Sequence, residues 1–518
     1  MKNTRTGQKT LRKLLKGAGS AILLATLFVL VFAGTLSGAF GVEENLQQNG
    51  IIESNVARAA TTVNTWGDAS NNNSDTSKLQ TSYTIPSYSQ NTTDHYYGLY
   101  FTDSASLITN GIKNGGVWTQ WNVVFSGANY YALKNGAISR IEFKIQRKDA
   151  DNSNNRLEIY RGNTLIVQGS DYDGANDEVI VNIGAELGVD TGTSYVYTVR
   201  WVAYRSGRWT NKSINTKISG AWVDIYRSDN TAPKCTEFDL YNYKFTFEDR
   251  ADDGTQTGAA GISKIEESVN GGSYVDITKN KNTSITNNTK NATYTTKVDG
   301  LHKFRLTDNV GNVSEVEYYI FKGAGTSEDD PYLLRNRTEF DWFATYMRGA
   351  ESFSSGYTFS GRFFKVQPDN SNSQNSQYIN MLSTAYTPGG YYDSARRGLF
   401  QGQLDGDNKE IRNLVISLDS STARAALIGS AGHNAVIKNV YIGSGSSIKS
   451  ERSDVAGIVA YATGTVKITN CVNYATISSA NSSAYQNGGI IGNIAGSVTV
   501  SNCHNYGAVY GAYSTGGI

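Results

Sequence analysis

Thr469-Asn-Cys-Val-Asn-Tyr474 and Ser501-Asn-Cys-His-Asn-Tyr506 are near-copies, and the distance between them decides the fold of this 518-residue chain. A larger unit recurs around them. Ala426-Leu-Ile-Gly429, Gly457-Ile-Val-Ala460 and Gly489-Ile-Ile-Gly492 repeat at offsets of 31 and 32. Each is followed at constant spacing by Ile437-Lys-Asn439, Ile468-Thr-Asn470 and Val500-Ser-Asn502, and an earlier Ile411-Arg-Asn413 precedes them. A period near 32 with short β-type blocks, Gly-rich corners and no recurrent helix predicts coils of a parallel β-solenoid. Stacked coils would bring Asn413, Asn439, Asn470 and Asn502 into one register and turn the Ile/Val positions into the bore. Cys471 and Cys503 would then sit one above the other. Two buried thiols is the reading taken, with a disulfide as the alternative.

These blocks resemble the GLUG repeat of bacterial surface and adhesin-like proteins, with alanine replacing a block glycine at Ala426 and Ala460. Phe400-Gln-Gly-Gln-Leu-Asp-Gly406 resembles the lead-in of such arrays. The resemblance implies a surface protein of adhesin-like type; such repeats also accompany metallopeptidase domains in some proteins. Ahead of the array, Phe340, Phe343, Ala344 and Met347 follow i, i+3, i+4, i+7, and Thr338 with Asp341 is similar to a capping box. A helix here would cover the end of the solenoid core, which is otherwise an aggregating edge. Residues 325–518 are therefore assigned to the solenoid and its cap.

Upstream, Tyr243–Phe247, Ser273–Ile277, Ala292–Val298, His302–Leu306 and Glu315–Phe321 are short alternating strands, with Asn270-Gly-Gly272 and Asp299-Gly300 as turns. Asp229-Asn-Thr-Ala-Pro233 opens this region and Leu306-Thr-Asp-Asn-Val-Gly-Asn-Val-Ser314 nearly closes it. The pair resembles bacterial Ig-like modules, which implies a spacer over residues 229–322. Cys235 is expected to be a lone thiol.

Residues 61–228 alternate in period two. Ile141, Phe143 and Ile145 interleave with Arg140, Glu142, Lys144 and Gln146, and Arg161-Gly162-Asn163 reads as a hairpin turn. No helix-length pattern interrupts the strands, so a two-sheet sandwich is expected. Trp118, Trp121, Tyr130, Tyr131, Trp201 and Trp209, with Tyr204, are candidates for a sugar-stacking face. The stronger reading is that most of these aromatics are core or cross-strand pairs, as strand aromatics ordinarily are. Asp171, Asp173, Asn176 and Asp177 surround a Gly as a calcium loop does, but without the distal bidentate Glu; a plain hairpin loop is the reading taken, and no metal or other cofactor is assigned.

Six basic residues and then the apolar run Ala21–Phe32 have the layout of a secretory leader, cleaved after Ala39 or as late as Ala59. A signal anchor is the alternative. Losing residues 1–39 changes the balance from 47 to 41 basic residues against 46 acidic ones. No basic face calls for nucleic acid, and three cysteines cannot staple a disulfide framework. Catalysis finds no footing either. Val455–Ile518 contains neither Asp nor Glu, Asp405, Asp407 and Glu410 occupy a Gly/Asn turn, and His95, His302, His433 and His504 are scattered.

The chain thus reads as a mainly β, secreted or cell-surface protein of adhesin type, of Gram-positive character: a sandwich, an Ig-like spacer and a solenoid. Its expected partner is an extracellular glycan or protein. Because Gly516-Gly-Ile518 opens a further block, the chain is expected to be a fragment, with envelope association lying downstream. The alternative is the non-catalytic front of a larger carbohydrate-active enzyme or peptidase.

Overall fold

The computed structural model describes residues 61–518, apart from residues 71–72, 78, 80, 86–95, 113, 149–152, 172–177, 185, 207–211, 350–355, 370–376, 391–397, 419–423, 452–453, 480–485 and 512–513. The expected leader, both expected cleavage sites, Trp209, Asp173, Asn176 and Asp177 lie outside the described residues. No described helix is long and apolar enough to cross a membrane.

Period-two patterning produces the expected sandwich at the N-terminal end. Its front sheet runs in the order Asn64–Gly67, Asn114–Ser126, Ser194–Ser206, Asn154–Arg161, Thr164–Gln168, and Ser82–Ile85 adds to it in parallel. The back sheet is Tyr96–Ile112, Lys212–Arg227, Ile138–Lys148, Glu178–Ile183. Inward residues of both sheets meet in one apolar layer, where Phe125 and Phe143 flank Tyr197 at 5.6 and 5.8 Å. The hairpin at Gly162-Asn163 forms, pairing Arg161 with Thr164.

One element departs from the expectation. Ala128–Asn135 is a helix inserted between strands, closed by Gly136 in the left-handed region with φ 78°. Its apolar stripe is too short and weak to register as a 3.6-residue period; Gly127 and Gly136 bracketing eight residues are its only local signal.

The second region is also two antiparallel sheets: Lys234–Asp239, Lys244–Glu248, Asn291–Thr295, Thr283–Thr286, facing Val275–Asp276, Ile262–Val269, Gly300–Asp308, Val313–Ile320. Phe245 lies 4.5 Å from Phe238 and 4.6 Å from Phe304 at its centre. Cys235 is a free thiol, and burial pushes it up to about 11.

Among the described residues from 332 onward every strand pairing is parallel, in four sheets along the faces of a β-solenoid of about five turns. Leu404, Ile437, Ile468 and Val500 stack coil upon coil, and the first three are fully buried in the bore. Asn439, Asn470 and Asn502 occupy one left-handed corner at φ 57°, 54° and 52°. Asn470 Nδ2 donates to Asn439 Oδ1 at 3.2 Å, and Asn439 Nδ2 donates to Asp405 Oδ1 at 2.9 Å. Asn413 is not in this stack. It follows the strand Glu410–Arg412 of the neighbouring sheet and donates to Asn380 at 3.0 Å. Ile-x-Asn is the chemistry of any strand ending in a left-handed corner, so the short match crossed from one corner to another. Cys471 and Cys503 are free thiols.

The capping helix is Arg337–Arg348, and Phe340, Phe343, Ala344 and Met347 are buried as its spacing predicts. Its N-cap is Asn336 rather than Thr338: Asn336 Oδ1 accepts from Glu339 N at 3.2 Å. Phe343 stacks on Phe359 at 5.5 Å and meets Phe364 edge-on at 4.9 Å, closing the first coil. The apolar core continues without a break from the second sandwich into the solenoid. Tyr346 joins them, accepting from Tyr319 N at 2.8 Å and donating to Tyr319 O at 2.6 Å.

Candidate functional site

Strand alternation divides the expected aromatic face in two. Along Asn114–Ser126, Val117, Trp121, Val123 and Phe125 point inward and are buried, so Trp118 points outward. Trp201 is fully buried, and its Nε1 donates to Asn155 Oδ1 at 3.0 Å. Tyr130 is buried in the inserted helix, 5.1 Å from Tyr195. Trp121 and Trp201 therefore present no ring face to a ligand, because the core surrounds them, and the Tyr130 ring is covered by the Lys134 ammonium at 5.2 Å. Tyr131 is half-buried beside Tyr130.

What remains outside is a different set. The Arg200 guanidinium lies 3.9 Å from the Trp118 ring centre and 4.2 Å from that of Tyr160. It donates to Tyr160 Oη at 2.7 Å and to Gln120 Oε1 at 3.2 Å. Glu158 accepts from Arg156 Nε and from Tyr160 Oη, both at 2.8 Å. Arg156 reaches over the Tyr204 ring at 5.0 Å, and Tyr204 Oη donates to Asp171 at 2.6 Å. Trp66 completes the row: its ring covers Gly116, where an added Cβ would meet it at 2.1 Å. Planar guanidinium groups and ring faces alternate across four strands here, giving apolar plates beside fixed donors. Asp171 is thus an exposed partner of Tyr204. The other three residues of the candidate calcium loop lie outside the described residues.

On the solenoid, Tyr441, Tyr474 and Tyr506 stack at 5.5 and 4.9 Å. Their faces cover one another between coils, so this ladder holds the stack together. His302, fully buried, joins Glu267 Oε1 at 2.7 Å and Val298 O at 2.8 Å, an internal brace with no room for a substrate.

A second site escaped the sequence reading. Asp229, Asp249 and Asp308 offer carboxylate oxygens within 4.8 Å of one another, all three residues being buried. Asp229 accepts from Thr231 N at 3.1 Å and Ala260 N at 2.7 Å, and Asp249 Oδ2 from Gly261 N at 2.5 Å. Asp308 Oδ1 accepts from Val310 N and Asn312 N, both at 2.8 Å. Burial, then the charges of Asp308 and Asp229, push Asp249 up to about 8; burial pushes Asp308 up to about 7 and raises Asp229. Carboxyl groups raised in this way keep protons that the unfolded chain has released. Their contribution to stability is complete below the ordinary Asp value of 3.8 and is lost as pH rises through the raised values near 7 and 8. In EDTA, the melting temperature of the chain is expected to fall as pH rises from about 5 to 8, and Asp249→Asn to flatten that slope. A slope identical in the variant would refute the assignment.

No family model matches this chain, and no curated protein matches it. Among solved structures, the adhesin domain of Epf from Streptococcus pyogenes is similar at a TM-score of 0.24 and 9% identity, over 44% of this chain and 79% of that one. The glycoside hydrolase domain of Endo-D from Streptococcus pneumoniae R6 gives 0.17 and 8%, over 44% of this chain and 36% of the other. A β-1,2-glucanase from Parabacteroides distasonis gives 0.19 and 9%, over 56% of this chain and 39% of the other. Likenesses this distant carry no argument about function.

Proposed function

We propose that this chain is an extracellular, non-catalytic binding protein of adhesin type, which takes a glycan ligand on the outer face of its first sandwich. The observation that carries this reading is the surface row of Trp66, Tyr204, Arg156, Trp118, Arg200 and Tyr160. Ring faces stack on the apolar faces of sugars, and guanidinium groups donate in fixed planar pairs to hydroxyl or carboxylate oxygens. Glu158 is engaged by Arg156 and Tyr160, so it serves as an anchor for the arginines rather than as a free acid or base. The leader-like N-terminus supports export. The resemblance of residues 229–322 to Ig-like spacers and of the coils to GLUG repeats supports a surface role, in which second sandwich and solenoid space the binding face from the cell envelope.

A glycan array probed with the full chain tests this. Binding to a subset of glycans is expected, with Trp118→Ala and Arg200→Ala each weakening it at least about tenfold, the effect of losing some 1.4 kcal/mol of contact. A blank across plant, host and bacterial glycans would sink the glycan reading.

A further inference from the structure

The linker leaving the first sandwich and two strand ends of the second converge on the Asp229, Asp249 and Asp308 cluster. Five of its six carboxylate oxygens receive N–H donors: Asn312 Nδ2 to Asp308 Oδ2 at 2.8 Å adds to the backbone contacts above. Donors of this kind favour the ionised carboxylate. The sixth oxygen, Asp249 Oδ1, is buried without any hydrogen-bond partner. A second buried oxygen nearby, the side-chain Oδ1 of Asn135 from the first sandwich, also lacks one. Asn135 Nδ2 donates to Ala260 O at 3.0 Å and Asn288 O at 2.9 Å, which sets this carboxamide against the loop whose amides hold Asp229 and Asp249. Lys290 and Arg227 are nearby cations that act on the cluster through their charge, and the Lys290 ammonium donates to Gln256 O at 2.5 Å. Three buried carboxyl groups with oxygens within 4.8 Å of one another, one of those oxygens unpartnered, form a donor set that a bound cation would satisfy.

We propose that Asp229, Asp249 and Asp308 bind a calcium ion, which locks the linker between the two sandwiches. The donor set is all oxygen, with no histidine or thiolate, which suits a hard cation and disfavours zinc or copper. Entry is provided by the cleft of about 1450 Å³ that Asp308 and Asn309 help to line, between the helix Ala128–Asn135 and the second sandwich. The same cleft has room for the waters that complete six to eight ligands. Magnesium requires a closer and stricter octahedron, so irregularly placed ligands favour the larger ion. Asp229 lies just beyond Ser228, whose N donates to Ala137 O of the first sandwich at 2.9 Å, so the ion would tie that sandwich directly to the strand ends at residues 249 and 308.

Calorimetric titration of the EDTA-stripped full chain with calcium chloride tests the proposal. One site is expected, with a dissociation constant of about 10⁻⁴–10⁻³ M, the range of extracellular modules. The melting temperature is expected to rise by a few degrees between EDTA and 10 mM calcium, as ligand linkage requires. Asp249→Asn should weaken binding at least about tenfold and abolish the thermal shift. Asp229→Asn, placed in the linker, serves in its place if that variant does not fold. Glu451→Ala, an exposed carboxylate on the solenoid, should leave both readings at wild-type values. Absence of heat and of any thermal shift in the wild-type chain would overturn the proposal, as would wild-type affinity in the substituted cluster.

Discussion

Trp201→Ala is expected to destabilise the first sandwich by about 3–5 kcal/mol, the range for emptying a large aromatic site in a core. Trp201 is fully buried and faces Leu157 on one neighbouring strand and Thr119 on the other. Its indole N–H is satisfied by Asn155 Oδ1, which also accepts from Thr216 at 3.2 Å. Removing the ring therefore leaves a cavity, while Asn155 Oδ1 keeps Thr216 and Asn155 Nδ2 keeps Ser153. Trp118→Ala, on the opposite face of the same sheet, is expected to cost about 1 kcal/mol or less, because the loss is mainly its contact with Arg200. Urea unfolding followed by far-ultraviolet circular dichroism separates the two. A Trp201→Ala loss below about 1 kcal/mol would contradict its place in the core.

Arg335→Met is the second large effect, expected at about 3–5 kcal/mol. Glu339 is fully buried at the start of the capping helix. Arg335 meets its Oε1 at 2.5 Å through Nη2 and at 2.8 Å through Nε, and also reaches Asp299 at 3.2 Å. Without the guanidinium, the donors left to the Glu339 side chain among the described residues are the Tyr319 hydroxyl at 2.8 Å and the Arg335 backbone N–H. A buried charge left this poorly compensated is far costlier than the absence of the pair. The double variant Arg335→Met/Glu339→Met should therefore recover part of the loss. Thermal unfolding of the three variants is the measurement. A double variant no more stable than Arg335→Met would show that the pair is not the cause. Because Tyr319 belongs to the second sandwich, the single variant should also loosen that sandwich from the solenoid.

Much of this architecture is written locally. The 31- and 32-residue offsets of the Gly and Ile-x-Asn blocks predict the coil register that pairs Ile437 with Ile468 and Ile468 with Val500. Position alternation could have sorted the tryptophans too. Trp118 and Trp121 are three residues apart on one strand, so they cannot share a face. Composition placed both on a binding surface, and parity removes one of them. The helix Ala128–Asn135 and the N-cap at Asn336 were harder, since each depends on a few residues whose alternatives differ little in energy.

The sequence by itself determined the class of the fold, because strand alternation and coil period repeat within a few dozen residues, and every repeat restates the same packing requirement. Only the tertiary structure decided the sites. Arg156, Arg200 and Trp118 lie on three strands that become neighbours through the sheet order. Asp229, Asp249 and Asp308 each look like ordinary turn residues in their own segments. Their chemistry arises from burial and proximity, which are properties of the folded chain, since charges separated by water in the unfolded chain neither repel appreciably nor need a shared cation.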